Sequence, residues 1–158
     1  HQSMFETFFL QTIFNSPVFI LKKELTQIPI FGWYLKKIGS ITIKRNKIDK
    51  QNLDFYKDVL ETINNSDRTL IIFPQATRVQ LAERPPFKKG VSKIYEKLNI
   101  LCQPIAIDSG RVWPKNGPKK SNQIITLSIL KPIEPGLKRE IFLRILEKNI
   151  YSELDSFN

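Results

Sequence analysis

The order of periodic segments predicts an α/β fold: a single mixed, largely parallel sheet flanked by helices. Short apolar runs at 17–21 (PVFIL), 40–44 (SITIK) and 69–73 (TLIIF) have the length and β-branched content of strands. Between them stand segments with helical spacing, and strands alternating with helices build a sheet through crossover connections. At 158 residues the chain fits one domain, 1–158, able to bury one substantial core.

The first element is a helix over 7–14. Ser3 stands at its N-cap with Glu6 three residues on, the spacing at which hydroxyl and carboxylate satisfy each other's backbone N–H groups. Residues 17–21 are continuously apolar, as in a strand buried on both faces. Residues 28–37 (IPIFGWYLKK) mix aromatics with a terminal lysine pair and read as a short amphipathic helix ended by Gly39. After the strand at 40–44 comes a helix over 49–63 whose apolar face carries Leu53, Tyr56, Leu60 and Ile63. The strand at 69–73 is halted by Pro74. Residues 75–89, with Pro85-Pro86 and several charges, form a loop, and Gly90 opens a helix reaching Leu98. Strands at 100–107 and 124–130 flank a loop rich in Gly, Pro and Lys, and an amphipathic helix over 137–154 follows.

Composition narrows the partners. Lys and Arg total 25 against 15 Asp and Glu, a formal charge of +10, so the surface attracts polyanions: nucleic acid, anionic headgroups or phosphorylated substrates. The basic residues come in pairs spread along the chain, which favours scattered contacts on a folded surface over a basic tail. No recognition helix or RNA-binding signature is present, and a nucleic-acid module ranks low. Cys102 is the sole cysteine and His1 the sole histidine. That excludes an intrachain disulfide and a zinc site built from Cys and His, and fits a reducing, cytosol-facing setting. No apolar run approaches the roughly 18 residues of a membrane span. The chain opens on His1 with no signal-peptide pattern; the expectation is a trimmed part of a longer protein, with any anchors upstream.

In an α/β sheet, ligands gather beyond the carboxyl ends of the strands, and three polar clusters fall where loops meet elements. His1 and Glu6 precede the first helix. Helical geometry joins residues three or four apart, not five, so a contact between them needs His1 in a loop folded back over the first turn. Glu6 would then hold one ring nitrogen and leave the other as a base. The alternative is that Glu6 only caps the helix. Arg45 follows the second strand and Thr77-Arg78 the third. A planar guanidinium suits bidentate contact with phosphate, and Lys88 or Lys89 adds a point charge. A solvated surface cation is the alternative for each.

Together these clusters resemble the motifs of the glycerolphosphate acyltransferase family, and most closely its bacterial 1-acylglycerol-3-phosphate members. HQSMFE at 1–6 is similar to the family's HxxxxD motif. GSITIKR at 39–45 resembles its second block, a Gly followed six residues later by Arg. FPQATR at 73–78 resembles FPEGTR, and QPIAI at 103–107 is similar to the proline-centred fourth block. All four stand in the family's order, and FKKGV at 87–91 fits the segment between the last two. The departures are Glu6 for Asp, Gln75 for the acid of the third block, Ala76 for its Gly, Lys44 where an Asp is common and Thr42 where an aromatic is common.

The resemblance implies a mechanism. His1, oriented by Glu6, takes the proton of the free hydroxyl of a lysophospholipid. That oxygen attacks the thioester of acyl-CoA or acyl-carrier protein, giving phosphatidic acid, with no covalent acyl-enzyme, metal or cofactor. Arg45, Thr77 and Arg78 hold the acceptor phosphate, with Gln75 and Lys88 beside them. The place of action is the cytoplasmic face of the inner membrane, peripheral or anchored by upstream segments. Trp33 and Tyr34 with Lys36 and Lys37 suit an anionic membrane surface; a core-packing helix with a charged end is the alternative. Another lysophospholipid, glycerol 3-phosphate or an amino-acid lipid remains open as acceptor, and so does an inactive lipid-binding relative.

Overall fold

In the computed structural model, which describes residues 1–43 and 51–157, the order is helix α1 (Phe5–Ile13), strand β1 (Val18–Lys22), α2 (Phe31–Lys37), β2 (Ile41–Ile43), α3 (Gln51–Asn64), β3 (Leu70–Ile71), α4 (Lys89–Leu98), β4 (Ile105–Ile107), β5 (Leu127–Ile129) and α5 (Arg139–Ser156). Each predicted element has a counterpart. Two 3-10 turns, Lys23–Gln27 and Ser109–Arg111, had no sequence expectation. The chain forms two compact units, Leu10–Ile72 and His1–Phe9 with Phe73–Asn158. The α/β class holds, with a parallel sheet flanked by helices. The strands, however, divide between two sheets instead of joining the single one predicted.

In the unit Leu10–Ile72, parallel strands stand in the order β2-β1-β3. β1 is central, pairing Ile20 with Ile41 on one side and Val18 with Leu70 on the other. Val18, Phe19 and Leu21 are buried, which is why β1 reads as an unbroken apolar run. Helix α2 buries Gly32 and Leu35. A Cβ at Gly32 would run into the Thr26 carbonyl, so only glycine lets α2 lie this close to the 3-10 turn before it. On α3 the fully buried positions are Phe55 and Val59, while Tyr56, Leu60 and Ile63 are half-buried. Among the described positions burial is thus deepest at Phe55 and Val59, four residues apart and to one side of the predicted positions.

Arg68 ties this unit together. Its Nε donates to Ser16 O at 2.7 Å, and its Nη2 donates to Pro17 O at 3.4 Å and to Ile38 O. Those carbonyls belong to the loops entering β1 and β2, and Arg68 itself precedes β3. Gly39 (φ 69°) leaves room, since a Cβ there would meet Nη1 at 2.7 Å.

In the other unit, β4 and β5 pair antiparallel, Ala106 opposite Ser128. The predicted strand at 100–107 shrinks to Ile105–Ile107, preceded by an isolated bridge from Cys102 to Ile133. Helix α5 buries Phe142, Leu146, Ile150 and Leu154, a stripe at every fourth residue. Each such side chain contributes about 1.5–3 kcal/mol when fully buried. Phe142 stacks on Tyr95 of α4 at 3.7 Å between centroids. The outer edge of α5 also fixes the loop after residue 78: Glu147 accepts from Phe87 N at 2.6 Å, Tyr151 donates to Pro85 O, and Asp155 pairs with Arg84 at 2.8 Å. Among the described residues no helix is long and apolar enough to cross a membrane.

Candidate active site

The start of α1 is a capping box. Ser3 Oγ accepts from Phe5 N at 3.1 Å, and Glu6 Oε1 accepts from Ser3 N at 3.3 Å and Gln2 N at 2.8 Å. The second oxygen of Glu6, Oε2, bonds His1 Nδ1. Capping and histidine contact, alternatives in the sequence, are therefore met by one carboxylate through different oxygens. Glu6 is 0% exposed. A buried carboxylate is tolerable only when its acceptors are filled, and Ser109 Oγ supplies a further donor to Oε1.

His1 reaches back over the helix start because its neighbours clamp it. Gln2 is buried, and its Oε1 accepts from Gly110 N at 2.9 Å. Gly110 permits this approach, as a Cβ there would meet that oxygen at 2.9 Å. The His1 carbonyl accepts from Val79 N at 2.9 Å, and its backbone nitrogen donates to Gln75 Oε1 at 2.6 Å. The imidazole stacks on Phe73, centroids 3.9 Å apart. With Nδ1 held by Glu6, Nε2 has no hydrogen-bond partner among the described residues. The side chain keeps 14% exposure, so this nitrogen is the one left for a reacting proton.

The structure thus brings His1, Glu6 and the block Phe73–Arg78 together in one unit. Arg78 immediately precedes Val79, whose N–H holds the His1 carbonyl. Its guanidinium is half-buried and makes no ion pair or hydrogen bond among the described residues. Thr77 and Lys88 are exposed, and Lys88 N donates to Pro74 O at 2.9 Å, which holds its backbone against the same block. Gln75, expected beside the acceptor phosphate, stands in this same cluster. It is 4% exposed, and its amide is committed to His1 N and, through Nε2, to Tyr151 Oη at 3.5 Å. It positions His1. Arg45 and Lys44 lie outside the described residues.

Sequence reasoning missed the contribution of Gln2, Ser109 and Gly110. The turn they build follows β4 at once, and Asp108-Ser109-Gly110 after the proline-centred block carries ordinary turn residues. Asp108 locks that turn, accepting from Thr126 N at 2.6 Å and from Arg111 Nε at 2.8 Å. Backbone N–H groups at a helix start, such as that of α1, are potential donors to a developing negative charge. Those at residues 2, 3 and 5 are taken by Glu6 and Ser3, which withdraws them. Burial pushes the Cys102 thiol up to about 11, so at neutral pH it stays protonated and is a poor nucleophile. A cavity of about 590 Å³ lies near Asn15, Lys37, Gly39 and Arg68. It sits where the parallel strands begin, opposite the strand ends at which α/β sites form, and its arginine is spent on carbonyls.

The family model described as Acyltransferase matches residues 1–108. A 1-acyl-sn-glycerol-3-phosphate acyltransferase of Pseudomonas aeruginosa is 32% identical over 117 residues, covering 74% of this chain and 45% of the relative. One from Helicobacter pylori is 31% identical over 138 residues, covering 84% and 57%. The chain therefore spans about half the length of these curated relatives. The crystal structure of a 1-acyl-sn-glycerophosphate (LPA) acyltransferase from Thermotoga maritima superposes with a TM-score of 0.78 at 20% identity, covering 99% of this chain and 63% of that one, a likeness of fold. With its first 108 residues matched by the family model, this chain belongs to the acyltransferase family.

Proposed function

We propose that this chain is the catalytic part of an O-acyltransferase that esterifies 1-acylglycerol-3-phosphate, using acyl-CoA or acyl-carrier protein as donor and giving phosphatidic acid. The observation that carries the reading is the His1–Glu6 pair: Nδ1 is engaged by a buried carboxylate, which leaves Nε2 to accept a proton. The relatives from Pseudomonas aeruginosa and Helicobacter pylori carry the name of this activity.

In this mechanism Nε2 removes the proton of the acceptor's free hydroxyl as its oxygen attacks the thioester carbonyl. The tetrahedral oxyanion collapses, the C–S bond breaks, and the thiolate takes the proton back from the imidazolium. Glu6 keeps the ring in the required tautomer and offsets its positive charge. Arg78, whose guanidinium has no protein partner among the described residues, binds the acceptor phosphate with Thr77 and Lys88; Arg45 is assigned the same role by its place in the second motif. Neither metal nor cofactor takes part in these steps.

The test is a transfer assay on the full-length protein with a panel of lysolipid acceptors and both thioester donors. His1→Ala should lower kcat by about 10²–10⁴-fold. Arg78→Ala should raise KM for the phosphorylated acceptor and leave the donor KM unchanged. Turnover above a tenth of wild type in the His1 variant would remove the base assignment. Unchanged acceptor kinetics in the Arg78 variant would remove the phosphate role.

A further inference from the structure

We propose that the turn leading into α2 is a bilayer wedge: Ile28, Ile30 and Trp33 enter the interfacial region of an anionic membrane while Lys36 and Lys37 rest on its headgroups. The inner line of α2, Gly32 and Leu35, is buried. The outer line runs through Ile30, Trp33 and Lys37, three and then four residues apart and so on one face. A surface helix ordinarily carries polar side chains there. Here Ile30 is 84% exposed, Trp33 64% and Ile28 46%.

The backbone sharpens the anomaly. Ile30 has φ 63° and ψ −57°, and Phe31 N donates to Pro29 O at 2.6 Å across it. This is the rarer, strained γ-turn with positive φ, and a β-branched residue in that region is an outlier. In water Ile30 incurs both strain and exposed apolar surface, where glycine would incur neither. Strain of this kind collects at functional positions, and an apolar phase outside the protein offsets the exposure.

Charge and size select the partner. Lys37 Nζ lies 4.9 Å from the centroid of the Trp33 ring, and Lys36 and Lys37 are both exposed. The chain carries +10. Glu24 is the single acid between residues 23 and 37, and it is engaged in the protein, not free. Tryptophan settles at headgroup level, and each lysine near an anionic surface adds on the order of fivefold in binding. A stable protein partner engages roughly 20–30 residues a side, far more than one turn offers, whereas a bilayer accepts single side chains. The wedge deepens the proposed reaction, whose acceptor is a lipid, and its test does not depend on turnover.

Trp33 and Trp113 are the two tryptophans of this sequence, so replacing Trp113, and any tryptophan outside residues 1–158, by Phe makes Trp33 the sole reporter. In the full-length protein its fluorescence should be quenched by phosphatidylcholine with brominated chains, more strongly when phosphatidylglycerol is mixed in. Lys36→Gln with Lys37→Gln should abolish that preference. Ile30→Gly relieves the turn, so it should melt no lower than the parent yet partition into vesicles about tenfold less. It should still turn over a dispersed short-chain acceptor, which separates failure of the wedge from failure of the reaction. Absence of quenching on anionic vesicles overturns the proposal, as does an Ile30→Gly variant that binds like the parent. Loss of a dimer in Ile30→Gly would assign the face to a second copy and would overturn it equally.

Discussion

Glu6→Gln separates the two duties of this carboxylate with almost no change of shape. Glu6 Oε1 accepts from Gln2 N, Ser3 N and Ser109 Oγ, and Oε2 is bonded to His1 Nδ1. A carboxylate accepts at both oxygens, an amide at only one. With its oxygen toward the helix start, the Gln amide presents N–H to Nδ1. The imidazole proton must then move to Nε2, and the base is lost. Flipped, the amide meets two backbone donors head-on. The first orientation keeps the fold, at a stability loss of about 1–2 kcal/mol for the weaker neutral bonds, while kcat falls about 10²–10⁴-fold. Glu6→Ala differs in kind. It strands Gln2 N, Ser3 N and Ser109 Oγ, at about 1–3 kcal/mol each when buried. Water entering the space reduces the total to roughly 3–6 kcal/mol, a large part of the roughly 5–15 kcal/mol of an ordinary domain. Turnover at saturating substrates and a urea titration on each variant would measure both effects. A Gln variant above a tenth of wild-type turnover, or an Ala variant with an unchanged midpoint, would refute the division of labour.

Two further outcomes concern stability. Ala76 has φ 57°, where an L-residue costs roughly 1–2 kcal/mol and glycine does not; after the extra unfolded-chain entropy of glycine, Ala76→Gly should gain about 0.5–1 kcal/mol, read as a higher melting temperature, and a lower one would contradict the strained turn. Arg68→Ala removes the donor shared by Ser16, Pro17 and Ile38 carbonyls, and partial exposure limits the cost to roughly 2–3 kcal/mol. Arg68→Lys should recover less than half of it, because an ammonium lacks the fork that reaches carbonyls in two loops. An unchanged urea midpoint in Arg68→Ala would show the staple to be idle.

Features set by neighbours in the chain were legible in the sequence. Ser3 and Glu6 announced the capping box, and the apolar run at 17–21 announced a central strand. Pro74 announced the end of β3, although the ladder stops at Ile71, before the turn in which Ala76 N donates to Phe73 O at 2.9 Å. Features set by distant neighbours were not legible. His1 meets Glu6, five residues on, because Gln2 is held by Gly110 and His1 by Gln75 and Val79. Pairings across such distances leave no period to read. For the same reason alternation identified β4 and β5 as strands but not their separate antiparallel sheet, which depends on the register of Ala106 with Ser128. The outward Ile30 and Trp33 were read within an amphipathic helix; only the exposure of each side chain shows which apolar residues face away from the core.

Gln75 is where departure from the family pattern and local chemistry meet. FPQATR differs from FPEGTR at this position, an amide standing where the family pattern has an acid. The proton inventory accounts for it without reference to substrate. Tyr151 has one hydroxyl proton, donated to Pro85 O, and burial raises the phenol above its usual range, so that proton stays. Its oxygen can then only accept, and Gln75 Nε2 is the donor it faces. Gln75 Oε1 meanwhile accepts from His1 N. A carboxylate at position 75 would satisfy His1 but set oxygen against oxygen at Tyr151. The amide is therefore matched to the tyrosine on α5, and through that pair the helix that fixes the 80–87 loop also bears on the backbone of the proposed base. Gln75 thus supports the backbone of His1, and the proposed phosphate role stays with Arg45, Thr77, Arg78 and Lys88; of these, the side chains of Thr77, Arg78 and Lys88 have no hydrogen bond or ion pair among the described residues.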